Sequence, residues 1–243
     1  MVGTSALRRA DAEADEEPMD PRTLRAVAGM AAAALAGVAL LIGSGRATGE
    51  GESATGVRIS EDQRSAGARF AAGVPGGDRA WIEAAVATAR PEAQRLIAEV
   101  DGLVEYQVHH GDPFAVTRSS VGPEGASFVL SFDVGSLDRT RRQDRNGAVL
   151  HEYGHVIDHA LVPPATNASL EAGIPRTGSC ANWGGALTGA CAEPAERFAD
   201  TFAKWALRGH FSVVGAGYAV ATPPSLEGWG VPLGLLSNAL PAS

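Results

Sequence analysis

The sequence predicts an α+β domain with a small sheet, and three observations carry that expectation. Apolar and polar side chains alternate at the period of strands between residues 104 and 134. Apolar positions over residues 146–162 and 193–208 instead recur at helical spacing. The strand-like runs come first and the strong helices follow, an order suited to segregated α+β layers. One N-terminal helix, a transmembrane or signal segment, completes the expectation.

Taken in order, residues 1–25 are acidic and lack an apolar period, so they read as a disordered cytoplasmic tail. Residues 26–45 carry no charge and are just long enough to span a bilayer. Arg8, Arg9, Arg22 and Arg25 precede this run, whereas only Arg46 and Arg58 follow closely. The positive-inside rule then puts the remainder outside the cytoplasm. The expected location is a single-pass cell-membrane protein with its folded domain outside. A cleaved signal peptide, with Gly45 and Ala47 as the small residues, would make it secreted. Residues 46–77 are rich in Gly, Ser and Ala and read as a linker, with a short helix around 62–70.

The folded domain is expected over 78–243. Asp78 suits a helix N-cap, with Trp81, Ala85 and Ala89 at helical spacing. Pro91 interrupts the pattern before Leu96, Ile97 and Val100 resume it, predicting two short helices or one kinked helix. Residues 104–110, 114–118 and 127–134 read as strands, the last being the strongest. The helix over 146–162 stops at Pro163-Pro164. Residues 163–191, rich in Gly, Pro, Asn and Ser, read as a long loop. Phe198, Phe202, Trp205 and Ala206 form one stripe on the helix over 193–208. The Gly- and Pro-rich tail from Gly209 supports no assignment.

The formal charge of −8 gives no electrostatic footprint for nucleic acid. Arg139, Arg141, Arg142 and Arg145 form the one cationic cluster and read as a solvated loop. Cys180 and Cys191 are an even pair in a domain expected outside the cytoplasm, which favours a disulfide over two buried thiols.

The chemistry lies in His151-Glu152-Tyr153-Gly154-His155, an HExxH sequence inside a predicted helix. Histidines four apart share one helix face and can hold one zinc ion. Glu152 is placed beside that face, where it can take a proton from a zinc-activated water and return it to a leaving amine. Chance places HExxH in a chain this long and so composed about 0.01 times, so the match is specific. A third ligand is needed. His159 is too far along the same helix, about 12 Å from His151 at the standard rise. Glu196 on the second helix is the better candidate, with Glu193 as its alternative. Asp200, four residues beyond Glu196, could accept a hydrogen bond from a ligating imidazole.

HEYGHVID followed by ERFAD resembles the zincin peptidases, specifically the gluzincin class. The local wording is similar to the lethal-factor-like catalytic domains, which pair an HExGHxxD helix with an E-x-F-A-acid helix. The likeness covers roughly residues 127–207. It implies a zinc metallopeptidase acting on a peptide or protein, with His151, His155 and Glu196 as ligands and Glu152 as base. It also implies that the strand over 127–134 borders the cleft and pairs with extended substrate. Asp158 matches the acid of HExGHxxD and is a supporting or structural group. The sequence departs in one respect: the lethal-factor-like pattern has a Tyr shortly before the ligand Glu, and residues 184–191 contain neither Tyr nor His. His210 and Tyr218 are the candidates for that role. A zincin-fold binding domain without catalysis is the alternative reading.

Overall fold

The computed structural model describes residues 59–111, 115–122, 125–137, 142–183, 186–209 and 218–241. The tail expected over 1–25 and the apolar run over 26–45 lie outside them. Among the described residues no helix is long and apolar enough to cross a membrane.

The architecture is mixed α and β around a small sheet. Order begins earlier than Asp78. Ser60 caps helix α1 (Glu61–Ala66) through a reciprocal pair, Gln63 N donating to Ser60 Oγ at 3.2 Å and Ser60 N to Gln63 Oε1 at 2.9 Å. Ile59 is buried in the core, and the short strand β1 (Arg69–Phe70) pairs with the sheet. Its polar composition made this segment look like linker. A two-residue strand has no period to read, and only its partner strand defines it.

Pro91 separates α2 (Gly76–Ala87) from α3 (Pro91–Val100), resolving the helix pattern into two. Arg90, before the proline, is extended as the ring requires. Ala93, Leu96, Ile97 and Val100 form the buried face of α3. A 3-10 turn at Asp101–Leu103 leads into β2 (Val104–His109). β3 (Ala115–Gly122) and β4 (Gly125–Asp133) follow as an antiparallel pair.

The sheet order is β1-β2-β4-β3, with β1, β2 and β4 parallel and β3 antiparallel to β4. This corrects the role expected for residues 127–134. β4 is hydrogen-bonded on both sides, by β2 and by β3, so it has no edge to offer a substrate. Among the described residues the outermost strand on that side is β3. Alternating hydrophobicity marks which side chains are buried, not which strand lies outermost.

After α4 (Val134–Leu137), the long helix α5 (Arg142–Ala160) packs on the sheet. Val149, Leu150, Tyr153, Val156 and Ile157 join Phe128, Leu130 and Phe132 in one core. Tyr153 adds a polar anchor: its hydroxyl accepts from Tyr106 Oη at 2.6 Å and donates to Asp101. Arg145, expected in a solvated loop, instead lies on α5 with its guanidinium carbon 5.8 Å from the Trp81 ring centroid.

The expected long loop contains structure. Pro164 opens α6 (Pro164–Ala172), a position proline suits because the first helical N–H has no partner to lose. β5 (Cys180–Trp183) and β6 (Ala186–Gly189) form a hairpin whose base is bridged by the Cys180–Cys191 disulfide. The bridge leads directly into α7 (Pro194–Ala206), in which every residue from Arg197 to Ala206 is buried. The tail supplies α8 (Leu226–Trp229) and α9 (Val231–Ala239). Trp229 Nε1 donates to Leu170 O at 2.9 Å, fastening α8 to α6.

Replacing Cys180 and Cys191 by Ser should lower the unfolding free energy by about 3 kcal/mol in the chain-entropy account of so short a loop. The measurement is the denaturant midpoint at unchanged m-value. A midpoint equal to that of the parent protein would show that the hairpin is held without the bridge.

Candidate metal centre

The site is made where α5 crosses α7. The crossing is close because residue 154 has no side chain: a Cβ there would lie 2.7 Å from Ala199 Cα. Small residues on both helices let the backbones approach, and this approach carries Glu196 to the histidines. His151 Nε2 and His155 Nε2 lie 3.0 Å and 3.4 Å from Glu196 Oε2. One donor atom from each of the three residues falls within 4.8 Å of the others. Two imidazole nitrogens and one carboxylate oxygen on adjacent helices make a group suited to hold a metal ion.

Burial and charge shape the cluster. His151 is 4% exposed. Burial works against its protonated form, but the Glu196 hydrogen bond and the carboxylates of Glu152, Glu196 and Asp200 outweigh it, so its pKa is raised. Burial works the opposite way on Glu196. There the hydrogen bonds from His151 and His155 prevail and hold its carboxyl far below the usual range. The Glu196 carboxylate thus lies within hydrogen-bonding or ion-pairing distance of both imidazoles. His151 Nδ1 is buried with no hydrogen-bond partner.

Glu152 is also 4% exposed and lines the same cleft. Thr117 Oγ1, on β3, lies 2.6 Å from Glu152 Oε2 and 3.2 Å from the Glu152 carbonyl oxygen. The threonine hydroxyl therefore holds one carboxylate oxygen and orients the side chain. Nothing local identified Thr117, since the contact joins residues 35 apart.

Tyr218 comes to the site, as one of two candidates. Its ring stacks on His151 with centroids 5.4 Å apart and planes 9° from parallel. Its hydroxyl is hydrogen-bonded to Glu196. Burial, together with the Glu196 and Glu152 charges, pushes its pKa up to about 12. His210 lies outside the described residues.

Glu193 is the extended N-cap residue of α7, exposed and not part of the metal-suited group, so Glu196 takes the place for which both were candidates. His159 lines the cleft but is outside the group, its ring 6.1 Å from Phe128. Asp158 also lines the cleft and accepts from Asn167 Nδ2; burial raises its pKa against the pull of that bond. Asp200 departs from expectation. Its oxygens accept from Lys204 Nζ at 2.7 Å and from Tyr218 N at 3.2 Å rather than from an imidazole. The lysine lies one turn further on the same helix and is buried with Asp200, so the two charges pair with each other.

The cleft has a volume of about 460 Å³. Ala115, Val116, Thr117 and Ser119 of β3 line it together with the metal-suited group, Glu152 and Tyr218. No protein family, curated protein or solved structure was found to match the chain.

Two outcomes follow from this geometry. Gly154→Ala should separate α5 from α7, destabilise the fold by about 1–3 kcal/mol and weaken metal binding. Thermal unfolding with and without zinc tests this, and a variant with parental zinc affinity would show that the close crossing is not needed. The second outcome concerns pH. The raised His151 pKa contributes stability at low pH that is lost as pH rises through the folded value. The lowered Glu196 pKa contributes stability that is lost as pH falls through its own folded value. An ion held by the imidazole nitrogens would have to displace the His151 proton, so any rise in Tm on adding zinc should grow as pH rises through the raised His151 value. A Tm increment independent of pH would exclude His151 as a ligand.

Proposed function

We propose that this protein is a zinc-dependent peptidase of the zincin type, with His151, His155 and Glu196 as ligands and Glu152 as the proton-transfer group. The observation that carries the reading is the convergence of the HExxH histidines with a glutamate from a separate helix, donor atoms within 4.8 Å of one another. Zinc is favoured over harder ions because two of the three donors are imidazole nitrogens. Bound there, the ion would polarise a peptide carbonyl and acidify a water molecule.

The chain's own residues supply the rest. The Glu152 carboxylate takes a proton from the attacking water and passes it to the leaving amine nitrogen as the C–N bond breaks. Thr117 keeps that carboxylate turned to the cleft. The Tyr218 hydroxyl, beside Glu196 and over His151, is placed to donate to the oxygen on which negative charge develops. β3 borders the cleft and is the outermost strand among the described residues, an edge to which an extended peptide could add. This is the support for a peptide or protein substrate. The sequence has no Tyr shortly before Glu196, and the position of Tyr218 beside the metal-suited group supports the catalytic reading over a non-catalytic binding domain.

Glu152→Gln should retain one zinc per chain and lose at least about 10²-fold in cleavage of an unfolded protein. Glu196→Ala should lose the metal and His159→Ala should keep it. Zinc content and cleavage rate are measured on the same preparations. Cleavage unchanged in Glu152→Gln would remove the proposed mechanism, and metal lost with His159 but kept without Glu196 would overturn the ligand set.

A further inference from the structure

Glu196, Asp200 and Lys204 occupy successive turns of α7 and therefore share one stripe of the helix. Glu196 belongs to the metal-suited group, whereas the other two make a buried ion pair, Lys204 Nζ to Asp200 Oδ2 at 2.7 Å. Asp200 is 0% exposed and Lys204 2%. Such a pair is weak evidence of stabilisation, because removing two charges from water offsets most of their attraction and apolar replacements are often as stable. What distinguishes this pair is the destination of its remaining hydrogen bonds. Asp200 Oδ1 accepts from Tyr218 N at 3.2 Å, and Lys204 Nζ donates to Val220 O. The ion pair thus grips one short segment at both ends.

The residue between, Ala219, has φ of 54°, a left-handed conformation that a non-glycine residue keeps only where its surroundings impose it. A third bond acts on the same segment: Gly189 N, at the end of β6, donates to Tyr218 O at 2.7 Å. Both backbone polar groups of Tyr218 are therefore engaged. The outcome is a ring lying 9° from parallel with His151 and a hydroxyl at Glu196.

We propose that Asp200 and Lys204 are positioning residues whose buried ion pair clamps residues 218–220 and so sets the Tyr218 phenol over the metal centre. The clamp gives Tyr218 its catalytic placement only if the peptidase reading holds, but the placement itself can be observed without catalysis.

The test uses the full chain with its three tyrosines replaced by 3-fluorotyrosine, and zinc alone as the probe. Tyr218→Phe assigns the Tyr218 fluorine resonance. In the parent protein zinc should shift that resonance. Lys204→Met should abolish the shift while zinc stoichiometry and the Tyr106 and Tyr153 resonances stay as they were. Lys204→Met should also lower kcat by up to about 10²-fold at nearly constant KM, the scale expected for a misplaced group. In a Tyr218→Phe background the same substitution should have no further effect on kcat. A Tyr218 resonance and zinc response unchanged in Lys204→Met would overturn the clamp, as would an undiminished loss in the Tyr218→Phe background. Should Lys204→Met leave Asp200 unpaired and the protein unfolded, Asp200→Leu with Lys204→Met removes both charges. That double variant must show the same lost response, and a parental response would refute the proposal. No cleavage by any form, with the fluorine response lost only in the clamp variants, would refute the peptidase reading and sustain the clamp.

Discussion

The close crossing of α5 on α7 is the constraint on which the site depends. At Gly154 the helices approach until a single added carbon would meet the Ala199 backbone. The imidazoles and the carboxylate are short side chains. They meet only when the helix axes that bear them are near, and interior packing leaves little freedom to compensate for a wider separation. A residue that touches no candidate ligand atom thus governs whether the three donors converge. The glycine inside HEYGH belongs to the site through its missing side chain rather than through any chemistry.

α7 is unusual in being buried from Arg197 to Ala206 while carrying Arg197, Asp200 and Lys204. Charges held away from water persist only where partners answer them. Arg197 Nε and Nη2 reach Glu171 and the Ile174 carbonyl at 2.6 Å and 2.7 Å, fastening α6 and the turn after it. Asp200 and Lys204 reach each other and the segment at Tyr218. These charges thereby tie separate stretches of chain to α7. The second helix organises the irregular parts of the fold as well as contributing Glu196.

The cleft depends on contacts between distant segments. Thr117 from the outermost strand orients Glu152, and Tyr218 from beyond α7 covers His151. The disulfide closes the β5–β6 hairpin, whose last residue, Gly189, bonds the Tyr218 carbonyl. Two strands of the sheet, α5, α7 and the segment at Tyr218 line a volume of about 460 Å³, and the hairpin acts on it only through Tyr218. That arrangement accounts for a site with its polar groups already aimed, in keeping with the catalytic reading proposed for it.

Much of the site was legible in the sequence, and the parts that were legible share one cause. Helical periodicity is local, so His151 and His155 had to share a face once the apolar pattern marked the helix, and Glu196 had to stand one turn before Asp200. Proline at 91 and at 163–164 divided the helices for equally local reasons of backbone geometry. The pair Asp200 and Lys204 was also visible at i,i+4 spacing, but nothing in the spacing showed that it would be buried. The rest was decided by tertiary contact. β1 exists only against β2. β4 lost its expected edge because β3 folded back beside it. The Gly- and Pro-rich stretch concealed α6 and a hairpin that neighbouring chain holds in place. Thr117 and Tyr218 carry no motif at all. Sequence spacing determines what lies along one element, and the chain alone thereby set the donor types and their intervals. Which elements meet, and which residue finally faces the metal-suited group, depends on close packing among segments far apart in the chain, and that only the folded structure decided.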